Sequence, residues 1–160
     1  MFAITDAKSF LNKVTNDYDA LQGNIADSGL AMNCILSTYH LHEWVWAHWL
    51  KNKIKTNPTI VGHLIRNKND FISWLSDKCP HFDVIQNLAN GSKHCSPVHS
   101  TSKIEGFGMG PYGIGPYNMA YLLVDMDDNG LPADKRYLVA SEILKDSIAF
   151  WKTFFENYIP

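Results

Sequence analysis

Cysteine is scarce. Cys34, Cys79 and Cys95 are odd in number and widely spaced, which argues against a disulfide framework. Long apolar runs are missing as well. The longest candidate, Leu41–Leu50, is interrupted by His42, Glu43 and His48, far short of the ~18 apolar residues of a membrane span. The opening MFAITDAKSF lacks a basic region followed by an apolar one, so no signal peptide is read there. The expected location is therefore cytoplasmic, with no membrane partner. Charge is limited to 19% of residues and the net value is −2. Such a balance gives no strong overall attraction to DNA, although a local patch remains open. Gly-x-Ser-x-Gly is absent. The glycine-rich GFGMGPYGIGP neither follows a strand nor opens a helix, and it has no Gly-Lys-Ser/Thr ending, so it does not read as a nucleotide-phosphate loop.

What the chain does have is rings and helical periodicity. Apolar residues make up 46% of the 160 and aromatic residues 12%, with five Trp, seven Tyr and eight Phe. That suffices for one domain whose core is built partly from large rings. Phe10, Val14, Tyr18 and Leu21 recur at helical spacing, and Gly23 follows as a stop. A second helix begins at Asp27 or Ser28, either of which can cap it, and continues to about Lys51. Thr56-Asn57-Pro58 breaks the pattern. NDFISWLSDK, from Asn69, is a further helical segment, and CPHFDVIQNLANGSKH restarts with Pro80 at a first-turn position.

From Cys95 to Pro116 the composition shifts to Ser, Gly and Pro. A small duplication there, GPYGI then GPYN, suggests an ordered loop with aromatic anchors. YNMAYLLVD and KRYLVA read as two strands around a polar connection, which makes a β-hairpin. Ser141 caps a last helix, with Ile143 or Leu144, Ile148, Trp151, Phe155 and Tyr158 as its apolar stripe. The expected fold is mostly α. It is an antiparallel helical bundle of four to five helices, from residues 1–95 and 141–158. A Gly/Pro-rich loop at 96–116 and a hairpin at 117–139 are inserted before the C-terminal helix.

Two polar stripes carry the candidate chemistry. Asn33, Ser37, His40, Trp44 and His48 lie three to four residues apart on one helical face. Buried polar groups need partners, so the stripe lines either a packed interface or a pocket. His40 beside Glu43 puts an imidazole next to a carboxylate, a pair that can move a proton or bind a metal; the plainer account is hydrogen-bonded packing. In the later helix Asn87, Asn90 and His94 recur at similar steps, with Lys93 beside His94 and an apolar stripe of Phe82, Ile85 and Leu88 opposite. Lysine can hold a phosphate there. A helix end accounts for part of the same pattern, since Gly91 suits a left-handed cap and Lys93 and His94 suit the negative end of the dipole. It leaves Asn87 and Asn90 without a role. Together the stripes suggest a polar pocket where the two helices meet. His40, His94 and Glu43 would be its catalytic groups, and Lys93, Asn87, Asn90 and Ser37 its binding groups.

Cys79, His81, Cys95 and His99 are zinc-type ligands within one region, but Cys79-x-His81 is too tight and no second pair stands at standard spacing. No metal and no cofactor are expected; the four residues are the alternative. Asp125, Asp127, Asn129 and Gly130 match the opening of a calcium loop, yet the twelfth position is Arg136, where a bidentate Glu is required. Cys34 sits mid-helix among apolar residues and reads as a buried thiol.

A helix ending in NLANGSKH within a compact helical domain resembles the HEPN superfamily. HLHEWVW and LANGSKH are also similar to segments of small bacterial proteins of unassigned function. The resemblance implies a helical fold, RNA as partner, metal-independent RNA cleavage, and a homodimer in which two motifs face each other. His94 matches the family's His. Asn87 stands where the family has Arg, and no Arg occurs between Arg66 and Arg136. The cation that would stabilise phosphate charge is thus missing, which implies an inactive descendant of a ribonuclease as readily as an active one. Two other classes stand beside this reading. One is a non-catalytic dimerising or interaction protein using Trp44, Trp46 and Trp49, or the loop of Tyr112 and Tyr117. The other is a metal-binding helical protein.

Overall fold

The computed structural model describes residues 3–94, 99–106 and 109–159. Helix α1 (Ala7–Gly23) begins with a reciprocal cap: Ser9 N donates to Asp6 Oδ1 at 2.7 Å and Asp6 N donates to Ser9 Oγ at 3.1 Å. Asp27 caps α2 (Ser28–Val45) by accepting from Leu30 N at 2.9 Å. The rod does not stop at Val45. A π-helical turn, Trp46–Leu50, leads into the single turn α3 (Lys51–Lys53). Asn67 caps α4 (Lys68–Lys78) through Asp70 N. Helix α5 (Phe82–His94) follows a turn in which His81 takes a φ of 60°. Pro80 lies in that turn, ahead of the helix rather than in its first turn. Gly91, expected as a cap, is buried inside α5, whose helical backbone continues to His94.

Three strands follow: β1 (Ser100–Ile104), β2 (Tyr121–Asp125) and β3 (Tyr137–Val139). They pair antiparallel in the order β1-β2-β3, with Asp125 opposite both Ser100 and Tyr137. The sheet therefore has one strand more than a hairpin, and that strand falls within the expected loop. Ser-Thr-Ser-Lys-Ile shows no apolar alternation because β1 is an edge strand with only Ile104 buried. A single turn, α6 (Ala133–Arg136), occupies the β2–β3 connection. β3 then passes without a loop into α7 (Ala140–Tyr158). Among the described residues no side chain caps that helix, and Ser141, expected to do so, is buried in its first turn.

The protein is mostly helical with a small antiparallel sheet. Helix α2 packs against α1, α5 and α7, so it forms the middle of the helical layer. The core is rich in rings. Trp151 is fully buried, and Phe154 lies 5.5 Å from Trp151 and 5.9 Å from Trp74, ring centre to ring centre. A second, small cluster of Ile104, Tyr121, Leu123 and Val139 supports the sheet. Among the described residues no helix is long and apolar enough to cross a membrane.

Candidate functional site

The expected pocket between the second long helix and α5 depends on helical phase. Tyr39 and His42 are among the α2 residues that meet α5. Gln86 Nε2 donates to Tyr39 Oη at 3.3 Å, and the His42 ring meets Phe82 edge-on at 5.6 Å. His42 Nδ1–H donates to the Tyr39 carbonyl. Only 1% of His42 is exposed, and burial holds its pKa below the ordinary value of 6.5. The unfolded chain takes up a proton that the folded chain refuses. Stability is hence unaffected above about pH 6.5 and declines as pH falls below it. Urea unfolding at pH 7.5 and at pH 5 checks this. His42→Phe should lose less stability between the two pH values than the parent; equal losses would clear His42 of the role.

His40 and Glu43 do come together, outside that interface. His40 Nδ1 lies 3.5 Å from Glu43 Oε2, and Lys68 Nζ donates to Glu43 Oε1 at 2.8 Å. The lysine holds the Glu43 carboxyl below the usual range. All three groups are open to water, so proton transfer at His40 has no enclosed pocket around it.

Ser37 points the other way. It is buried against α1, where its hydroxyl donates to Asp17 Oδ2 at 2.6 Å, and Asp17 is paired with Lys13. Asn87 approaches the buried His99, Nδ2 to Nε2, at 3.5 Å. Asn90 and Lys93 are exposed on α5. The side chain of His94, and Cys95 altogether, lie outside the described residues.

The zinc-type residues have separate partners. Cys79 Sγ is 3.4 Å from Ser147 Oγ, His81 Nε2 is 3.4 Å from Asp146 Oδ2, and His99 faces Asn87. Among the described residues no group of three His, Cys, Asp or Glu could hold a metal ion. Burial pushes the Cys34 and Cys79 thiols up to about 12, so neither is a ready thiolate. In the calcium-like loop Arg136 supplies the positive charge itself. Its Nε and Nη2 donate to the two Asp125 oxygens at 2.8 and 3.0 Å, and it also bonds Asn129.

A feature missed at the level of composition lies between Glu43 and Asp70. Residues 44–69 contain Lys51, Lys53, Lys55, Arg66 and Lys68, with His48 and His63, and no carboxylate. The rest of the chain carries nine Lys/Arg against sixteen Asp/Glu, so the whole-chain value of −2 hides this segment. The signal was available by reading charge along the chain rather than summing it. Lys51, Lys53 and Lys55 are exposed and form no ion pair among the described residues, whereas Arg66 is paired with Asp70 and Lys68 with Glu43. The segment is ordered. Val61 and Ile65 are buried, Ile65 N donates to Pro58 O at 2.8 Å, and Gly62 N to Thr59 O at 2.8 Å.

Beside it is a pile of parallel rings. Phe10 stacks on Trp44 at 4.8 Å, and Trp44 stacks on His48 at 5.0 Å with a 10° tilt. His48 is exposed, three residues before Lys51.

No family model, curated protein or solved structure matches the chain. The site therefore stands on its own chemistry: an open imidazole–carboxylate–ammonium group, a carboxylate-free basic segment, and a ring stack ending in water.

Proposed function

We propose that this protein binds single-stranded RNA on the surface formed by residues 44–68. The observation that carries the reading is the exposed, carboxylate-free run of Lys51, Lys53 and Lys55 next to the Phe10–Trp44–His48 stack. Single strands are held by lysines that track the phosphates and by flat rings on which bases stack. Both are present, and His48 is the exposed face on which a base would be placed. The HEPN-like reading belongs to this proposal. In it, His40 and His94 would take or give the proton, Glu43 would orient one imidazole, Asn87 and Asn90 would supply neutral hydrogen bonds, and Lys93 would hold a phosphate; Lys68, bonded to Glu43, adds a second cation beside His40.

The test is fluorescence anisotropy with a labelled single-stranded RNA at several salt concentrations, with the RNA afterwards run on a gel. Three phosphate contacts give a slope of log K against log salt of about −2. No binding at low salt, or binding indifferent to salt, overturns the proposal. Cleavage that disappears in His40→Ala while binding persists assigns the reaction to the His40–Glu43–Lys68 group. Intact RNA with the parent protein leaves binding alone.

A further inference from the structure

The loop between β1 and β2 is built unlike the rest of the protein. Ile114 N donates to Pro111 O at 3.2 Å, closing a turn with Tyr112 and Gly113 at its two central positions. Gly113 has a φ of 75°, the value a turn of this kind requires at its third residue. Gly115 repeats that φ and lies flat on the Tyr121 ring, where a Cβ would come within 2.5 Å of ring carbon. Gly110 leaves no more room beside the Tyr121 hydroxyl. Tyr121 is 2% exposed and donates its hydroxyl to Ile114 O at 2.8 Å. Residues 110–115 are thus wrapped on one buried ring. The loop's own rings go outward: Tyr112 is 94% exposed, and Tyr117 is exposed as well. Between them is a hollow of about 370 Å³.

The lining of that hollow is unusual in its charge. Its described residues are glycine, Pro111, Pro116, Ile114 and tyrosine, with no carboxylate, ammonium, guanidinium or imidazole. A phosphate, a basic side chain or an acidic peptide would leave water there without a counter-charge. What matches is an uncharged occupant with flat apolar faces and unused carbonyl oxygens. A polyproline II segment is that occupant. It carries no charge, its pyrrolidine rings pack on aromatic faces, and its carbonyls make no internal hydrogen bonds. It is also ordered before it binds, so little conformational freedom is lost on docking. We infer that the Tyr112–Tyr117 loop is a docking site for a proline-rich segment of a partner protein. This inference is independent of RNA binding, which uses other residues.

The experiment titrates the full chain with an oligoproline peptide, followed by NMR shifts of the loop amides, against a Gly-Ser peptide of equal length. Saturable binding of oligoproline alone is expected. Tyr112→Ala, at a position too exposed to disturb folding, should weaken it about tenfold. Gly115→Ala keeps every ring but forces the loop off Tyr121, and should weaken it at least as much. RNA binding should be unchanged in Tyr112→Ala. Three results would overturn the inference: no saturable binding at millimolar peptide, equal binding by parent and Tyr112→Ala, or a parent dimer that Tyr112→Ala dissociates while oligoproline does not bind. The last result would give the surface to a second copy of the chain.

Discussion

Replacing Lys51, Lys53 and Lys55 together by alanine should weaken single-stranded RNA binding by roughly a hundredfold at low salt, and should flatten its salt dependence. Each lysine near a polyanion contributes on the order of 1 kcal/mol, and a tenfold change in affinity takes about 1.4 kcal/mol. The three side chains are exposed and form no ion pair among the described residues, so their removal leaves no buried charge behind. The substitution should leave the melting temperature nearly unchanged. Lys145 and Lys152 make a matched control. Both are exposed on α7, within the part of the chain where carboxylates outnumber lysines and arginines. Removing that pair should change RNA affinity little. If the control pair costs as much as the triple, the attraction is general and the 44–68 surface has no special part in it.

The second large effect is on stability. Trp151→Ala should cost about 3–5 kcal/mol and lower Tm by roughly 10 °C, measured by urea unfolding and by a thermal scan. Trp151 is 0% exposed and sits edge-on to Phe150 and Phe154 at 5.5 Å, so the cavity opens where rings from several directions converge. Its Nε1–H has no hydrogen-bond partner among the described residues, an unmet cost already present in the folded state. Trp151→Phe removes that cost along with part of the ring. It should therefore lose far less than alanine, and a loss equal to that of alanine would show that the unpaired N–H is of no account.

Where side chains repeat with the period of their element, the sequence was a sound guide. The apolar stripe of α7, Ile143, Leu144, Ile148, Trp151 and Phe155, is legible in the letters and buried in the fold, with Tyr158 at its end half-buried. The end of α1 is legible as well, because Phe10, Val14 and Leu21 are buried along it and Gly23, read as its stop, is its last residue. Edge strand β1 was not legible, since a strand with water on nearly every side chain needs no alternation. Gly91 misled for a related reason: glycine is compatible with a cap but does not compel one, and here the helix runs past it. At the site, spacing alone joined His40 and Glu43 correctly. It could not decide which face of α2 meets α5, because His40 and His42 differ by two residues and only the packing of Tyr39 and His42 against Phe82 chooses between them. Ser37 shows the same limit, as its partner Asp17 is set by how α1 crosses α2.

The π turn at Trp46–Leu50 holds one residue more than a regular helical turn, and one residue is about 100° of rotation. The wider turn absorbs that extra residue, so the rod leaves it in nearly the phase in which it entered. Trp49 and Leu50 reach the interior, and Lys51 and Lys53 reach water. A chain shorter by Ala47 alone would close the bulge into an ordinary helical turn and leave the lysines on the same side of the molecule. At this one point of the rod the basic surface tolerates a change in the count of residues, where a regular turn would rotate it away.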